Sequence, residues 1–336
     1  MVSKIRVIVI GLGQIGLDTC KLILKKDSLQ LLGVVDIDPK KAGKDLGEFL
    51  GKKKLGIKIY DDLRFILKEF QPEVTIITSK SKLKEIANDI ILCIENHSSV
   101  ISSCEELFYP LAKHKKLFEE IDSKAKENFT HVLGTGVNPG FVMDILPLFL
   151  TSTCAELKSL KITRKVDLNK RRKALQQKMG LGLTTKEFNK FAKENELGHV
   201  GLSESANFIS DFLKIKIDRW SEIIKPVLAS RNIKTKHYNI KKGNIAGIKQ
   251  SIFGLKNNKK IISLELEISC EVENSYDEII VEGIPPINMR IENGIFGDTA
   301  TTAIMVNVIP NLLHARYGLI TMKDLSIPSF LSPITK

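Results

Sequence analysis

Ile5-Arg6-Val7-Ile8-Val9-Ile10-Gly11-Leu12-Gly13-Gln14-Ile15-Gly16 reads as a buried strand that stops at a glycine-rich loop. The run before Gly11 is aliphatic at every position except Arg6, which is the pattern of a strand covered on both faces. Ile15, Thr19, Leu22 and Ile23 then recur at helical spacing, and Leu31-Leu32-Gly33-Val34-Val35 makes the next apolar run. Strand, tight loop, helix and strand form a βαβ unit, and the crossover forces parallel pairing. The loop has GxGxxG spacing, and Asp36 follows Gly16 by about twenty residues, where the second strand ends. In this setting Gly11 permits the turn, Gly13 lets the backbone approach a pyrophosphate and Gly16 allows close helix packing. The helix start at Gln14 and Ile15 offers N–H groups to the anion. Asp36 suits ribose hydroxyls and repels a 2′-phosphate, which predicts NAD; Lys40 and Lys41 leave NADP as the alternative. Asp38, standing before Pro39, reads as a turn residue.

The alternation continues through Val74-Thr75-Ile76-Ile77, a helix carrying Leu83, Ile86, Ala87, Ile90 and Ile94 on one face, Val100-Ile101-Ser102, and a strand from Thr130 to Leu133. Residues 1–145 are therefore expected to form a Rossmann domain, a doubly wound parallel sheet in an α/β fold. From about residue 150 to about residue 230 the chain reads as basic, polar and helix-rich, with shorter strands after it. The half-alternating run Ile261-Ile262-Ser263-Leu264-Glu265-Leu266-Glu267-Ile268-Ser269-Cys270 predicts a half-solvated strand. Residues 146–296 thus make a second, α+β domain with a mixed or antiparallel sheet. Residues 297–336 are a C-terminal helical segment returning to the Rossmann domain, bent or ended at Pro310.

With 336 residues, 43% hydrophobic and 27% charged, the chain has the composition of a folded two-domain protein. The formal charge of +12 raises nucleic acid as a partner, but 42 of the 51 basic residues are lysines scattered along the chain, and no nucleic-acid module accompanies them. No apolar run is long enough to span a membrane and no leader pattern opens the chain, so a cytoplasmic protein is expected, with no membrane partner. Five cysteines without a CxxC pair read as free thiols, and six histidines without HxH or HxxxH spacing predict no metal.

Ligands of open α/β sheets sit at the carboxyl ends of the strands, which directs attention to Thr78-Ser79, to Ser102–Glu106 and to Gly134–Gly140. Glu105 and Glu106 lie where a strand stops. A carboxylate there can pair with a substrate ammonium, take its proton and position a water, or it can simply cap a helix. Cys104 adjoins them, but two neighbouring carboxylates oppose a reactive thiolate. Asn138, in Gly134-Thr135-Gly136-Val137-Asn138-Pro139-Gly140-Phe141, can hydrogen-bond a nicotinamide carboxamide or a substrate, or merely shape a turn. In the second domain the glycine-flanked, polar loop Gly198-His199-Val200-Gly201-Leu202-Ser203-Glu204-Ser205 leaves His199 either over a cleft or on the surface.

Taken together, Ser103-Cys104-Glu105-Glu106-Leu107 with Tyr109-Pro110, the Gly134–Phe141 segment, Gly198-His199-Val200-Gly201-Leu202 and Gly297-Asp298-Thr299-Ala300-Thr301 resemble the 2,4-diaminopentanoate dehydrogenases. These are relatives of the native amine dehydrogenases and of dihydrodipicolinate reductase. The resemblance implies an NAD(P)-dependent oxidative deamination at C4 of 2,4-diaminopentanoate in ornithine degradation. It implies Glu105 as the group that handles the amine, with Glu106 second. Arg171, Arg172 and His199 are candidates for the substrate carboxylate by charge only, Phe141 is a further substrate-binding candidate, and a homodimer through the second-domain sheet is expected. The alternatives are an amine dehydrogenase for simple amines and a non-catalytic NAD sensor. The chain lacks the paired-histidine segment of dihydrodipicolinate reductase, and Thr78-Ser79-Lys80-Ser81-Lys82 is more basic than expected of a nicotinamide-facing loop.

Overall fold

A computed structural model describes residues 4–169, 171–194 and 197–332. The chain divides into two units, residues 1–140 with 296–336 and residues 141–295. In the first unit, β1 (Ile5–Ile10) leads into α1 (Gln14–Ile23) and β2 (Leu29–Val35), followed by α2 (Leu46–Leu50), β3 (Ile59–Tyr60), α3 (Leu63–Phe70), β4 (Val74–Ile77), α4 (Ala87–Glu95), β5 (Ser99–Ser102), α5 (Lys115–Glu127) and β6 (His131–Gly134). All of these strands pair in parallel. Their near-complete burial explains the unbroken aliphatic runs: Val7, Ile8, Val9, Val74, Ile76, Val100 and Ile101 are wholly inaccessible. Asp45 and Asp62 cap α2 and α3, accepting from backbone N–H groups of the first turn.

The second unit begins with α6 (Ile145–Thr151) and β7 (Glu156–Asp167), then α7 (Lys173–Lys178), α8 (Thr185–Lys193) and α9 (Leu202–Phe212). β8 (Arg219–Leu228), a two-stranded piece β9 (Ile233–Lys234) and β10 (Asn239–Ile240), β11 (Ile245–Lys256), β12 (Lys259–Ser269), β13 (Tyr276–Ile284) and β14 (Ile287–Glu292) follow. Six of these strands form one sheet in the order β14-β13-β7-β12-β11-β8. Only β12 and β7 run parallel, so the sheet is mixed. The expectation of a helix-rich stretch up to about residue 230 is corrected here: β7 is a strand of 12 residues near the middle of the sheet, and β8 lies inside the same stretch.

What disguises β7 in the sequence is Arg164. It stands in register with the buried Leu160, Ile162 and Val166, and only 4% of it is exposed. Its Nη1 lies 2.6 Å from Asp277 Oδ1 on β13 and its Nη2 donates to the Ile295 carbonyl at 2.6 Å, while Ile295 N donates to Asp277 Oδ2 at 2.8 Å. Burial pushes the guanidinium pKa down, opposed by the adjoining carboxylate. The opposite face of the sheet carries a charge ladder, with Lys161 on Glu265 at 3.4 Å and both Lys165 and Lys249 on Glu267 at 3.7 and 3.4 Å.

The chain then re-enters the first unit with α10 (Gly297–Asn307), α11 (Ile309–Leu313) and β15 (Gly318–Ile320), which adds a parallel edge strand to β6. The final segment is thus not helical throughout. Pro310 sits in the first turn of α11, after a break at Val308, in keeping with the expected interruption. The completed sheet has the order β15-β6-β5-β4-β1-β2-β3, which reverses direction between β1 and β4. In such sheets that reversal opens the ligand crevice.

Removing one partner of the Arg164–Asp277 pair leaves a buried charge without its counter-ion. Asp277→Ala is expected to cost about 3–5 kcal/mol of unfolding free energy in a denaturant titration, whereas Arg164→Leu with Asp277→Leu recovers most of it. Equal losses in the single and double variants would refute this account of the strand.

Candidate active site

The loop after β1 and the end of β4 lock together at the switch point. Thr78 N donates to the Ile10 carbonyl at 2.8 Å, and Thr78 Oγ1 donates to the Gly11 carbonyl at 2.7 Å. A side chain at Gly16 would overlap the Gly11 carbonyl oxygen and come within 2.8 Å of Thr78 Oγ1. The hydroxyl of Thr78 is therefore committed to holding the loop, and Ser79 packs its backbone against Gly11. Gln14 Nε2 donates to Asp18 on the helix surface and Ile15 is buried, so neither side chain is turned to the loop. Gly13, the N-cap of α1, supplies no side-chain cap, and a Cβ placed on it meets nothing within 4 Å. A helix start without a side-chain cap, with open space at Gly13, fits a pyrophosphate.

Asp36 stands at the end of β2. Its Oδ2 accepts from Leu12 N at 2.6 Å and from Lys41 Nζ at 2.9 Å, and its Oδ1 accepts from Asp38 N at 2.9 Å. Burial pushes this carboxyl up, but the Asp38 N–H, the Lys41 ammonium and the Leu12 N–H outweigh it and hold the pKa below the ordinary range. A carboxylate has about four acceptor positions, and three are taken, so one ribose hydroxyl can be accepted without displacing Lys41. Lys41 also reaches the Leu12 carbonyl at 3.1 Å. Lys41 is therefore held as a cation beside the Asp36 carboxylate.

The two strand-end glutamates part company. Glu106 Oε2 accepts from Leu83 N at 2.8 Å and lies 3.0 Å from His114 Nε2, which ties the loop after β4 to the turn after β5. Glu105 opens the 3-10 turn Glu105–Leu107 and is half-buried. Gly134 seats that turn: a side chain there would overlap the backbone of Leu107 and Phe108. Cys104 is 1% exposed with its Sγ 3.1 Å from the Ser81 carbonyl, and burial pushes its thiol pKa up, so it holds no ready nucleophile. The basic residue Lys80 faces Glu85 at 3.5 Å on an exposed surface, which accounts for the lysines of that loop. Asn138, half-buried, lies in the loop after β6, and Val137 N of the same loop donates to Thr301 Oγ1 of α10 at 3.2 Å.

Phe141, Arg171, Arg172 and His199 all belong to the second unit. Phe141 O accepts from Leu146 N at the start of α6, Arg171 is 8% exposed before α7, and Arg172 is the N-cap of that helix. The polar loop containing His199 is shorter than expected, because α9 begins at Leu202. Sequence reasoning missed Gln250. This β11 side chain, 2% exposed, accepts from His199 N at 2.8 Å and donates to His199 O at 3.1 Å and to Glu222 at 2.8 Å. It also passed over two buried carboxylates, Asp144, which accepts from Ser205 Oγ at 2.7 Å, and Glu204, which accepts from Ser203 Oγ at 2.9 Å. The signal for Gln250 was a polar residue within the apolar run of β11, for Asp144 its place as the N-cap of α6, and for Glu204 a place in the first turn of α9. Among the described residues, no three His, Cys, Asp or Glu side chains gather as metal ligands, and no helix is long and apolar enough to cross a membrane.

Residues 141–334 match the family model described as 2,4-diaminopentanoate dehydrogenase C-terminal domain, and residues 5–103 match that of the dihydrodipicolinate reductase N-terminus. A 2,4-diaminopentanoate dehydrogenase of Acetoanaerobium sticklandii is 33% identical over 97% of this chain and 94% of its own length. An amine dehydrogenase of Streptomyces virginiae is 28% identical over 44% of this chain and 42% of its own. The solved structure of an amine dehydrogenase from Mycobacterium smegmatis superposes with a TM-score of 0.89 at 21% identity, covering 98% of each chain.

Lys41 offers a test of the ribose position. Its ammonium offsets the Asp36 charge that would repel a 2′-phosphate, so Lys41→Ala is expected to weaken NADPH binding about tenfold more than NADH binding in paired fluorescence titrations. An unchanged NADPH-to-NADH ratio would remove Lys41 from cofactor selection.

Proposed function

Because the chain belongs to the 2,4-diaminopentanoate dehydrogenase family of oxidoreductases, we propose that it oxidises the C4 amine of 2,4-diaminopentanoate. With water and one NAD, or NADP, the products are 2-amino-4-oxopentanoate, ammonium, the reduced dinucleotide and a proton. This reaction belongs to the oxidative breakdown of ornithine. The observation that carries the reading is the meeting of two features on one sheet edge. The phosphate-binding loop follows β1, and the turn bearing Glu105 follows β5, two positions along.

A bound nicotinamide supplies the two-electron acceptor. The rest falls to side chains. Glu105 pairs with the C4 ammonium and takes one of its protons, freeing the nitrogen lone pair that drives hydride loss from C4. The same carboxylate then orients the water that adds to the iminium carbon and returns a proton to the departing nitrogen. Glu106, bonded to Leu83 N and to His114, keeps the turn in place, a positioning role. Arg171, Arg172 and His199 are assigned to the substrate carboxylate, with Phe141 against the carbon chain and Gln250 holding the His199 peptide from both sides.

The direct test follows dinucleotide reduction with 2,4-diaminopentanoate beside ornithine, lysine and a simple alkylamine. Only the first is expected to turn over well, and preference for the alkylamine would overturn the substrate assignment. Glu105→Gln is expected to lower kcat by about 10²–10⁴-fold with NADH affinity intact. Glu106→Gln should mainly lower thermal stability. If kcat collapses in the Glu106 variant and survives in the Glu105 variant, the two roles are reversed.

A further inference from the structure

Among the described residues, two buried polar atoms on the loop after β6 have no hydrogen-bond partner: Thr135 Oγ1 and Asn138 Oδ1. Thr135 is 3% exposed. Its backbone N–H donates to the Ser102 carbonyl at 2.9 Å and so extends the β5–β6 ladder by one residue. The loop is fixed further along by Val137 N on Thr301 Oγ1. A side chain at Gly140 would overlap the Gly136 backbone and come within 2.8 Å of the Thr135 hydroxyl, so the turn packs its own backbone beside that oxygen. A buried hydroxyl without a partner is destabilising, and folded chains leave few of them. Two on one loop, at the carboxyl edge of a parallel sheet, mark a place where a ligand completes the hydrogen bonding.

The chemistry of that ligand follows from the atoms on offer. Residues 134–140 contain no ionisable side chain, and both orphan atoms accept hydrogen bonds while remaining neutral. An ammonium buried against neutral acceptors alone keeps much of its desolvation cost. A primary carboxamide carries no charge and presents two N–H donors, with a carbonyl that can take the threonine proton. We propose that Thr135 is a cofactor-binding residue, whose hydroxyl, together with Asn138 Oδ1, receives the carboxamide of the nicotinamide ring. The assignment rests on the dinucleotide reading of the site and adds to it the end of the cofactor at which ring orientation is set.

Thr135→Val replaces the hydroxyl by a methyl of the same shape, and two readouts should move in opposite directions. The cofactor-free protein gains thermal stability, because a buried unpartnered hydroxyl has gone, while the Kd for NADH rises about fivefold to tenfold. Thr135→Ser restores NADH affinity. The wild type is expected to bind the 3-acetylpyridine analogue of NAD, which lacks the carboxamide N–H groups, more weakly than NAD, and Thr135→Val narrows that difference, leaving the part due to Asn138. An unchanged NADH Kd in Thr135→Val overturns the proposal, as does weaker binding with lowered stability and no rescue by serine, which is the mark of packing alone. A rise confined to the KM of the amine substrate assigns the hydroxyl to the ammonium and also overturns it. Failure of the wild type to bind NADH at all sinks the dinucleotide reading itself, an outcome distinct from these.

Discussion

The Gly11 carbonyl oxygen occupies the space where residue 16 would carry its side chain, and Thr78 closes over the same point from the neighbouring strand. This crowding is what turns the chain sharply at the end of β1 and aims the first turn of α1 at the crevice. Everything downstream inherits the direction. β4 must lie beside β1 for Thr78 to reach the loop, β5 must lie beside β4, and the Glu105 turn is therefore delivered to the same edge as the helix start. The sheet's parallel pairing converts one local steric condition into the placement of side chains far apart in sequence.

The second unit is organised by a different constraint, a charged pair in place of a tight turn. Arg164 and Asp277 satisfy each other and the peptide of Ile295 in a setting with almost no solvent. Buried pairs of this kind stabilise little compared with apolar side chains of the same size, but they tolerate few alternative registers. A slip of β13 by one residue would turn Asp277 to the face that carries the charge ladder and leave Arg164 unpaired.

The first unit was legible because its strands are buried on both faces and its loop glycines have geometric reasons to be glycine. β1, β4 and the turn after β5 fall where the aliphatic runs end. β7 was hidden because alternation is read by polarity, and a buried arginine counts as polar wherever its partner sits. That partner is more than a hundred residues away, beyond the reach of any local pattern. The same limit applied to Glu105 and Glu106, adjacent and chemically alike. That His114 and the Leu83 N–H reach Glu106 across turns is visible only in the fold. The His199 loop carried its own signal in its glycines, but Gln250, which fixes it, was one more polar residue in a strand. Asp36 was legible as an acid at the end of β2, whereas the engagement of its oxygens by Lys41 and two backbone N–H groups needed coordinates.

The return of residues 296–336 to the first unit has a consequence for how the molecule is made. β15 covers the outer edge of β6, and α10 lies against α1 and the loop after β6. On the ribosome, the parallel sheet therefore emerges with β6 bare on one side and must wait through the synthesis of the whole second unit before that edge is closed. An open strand edge is a template for pairing with other chains. The interval between translation of β6 and of β15 is the period in which a nascent chain of this protein is most exposed to misassembly, and it is when a chaperone would matter most.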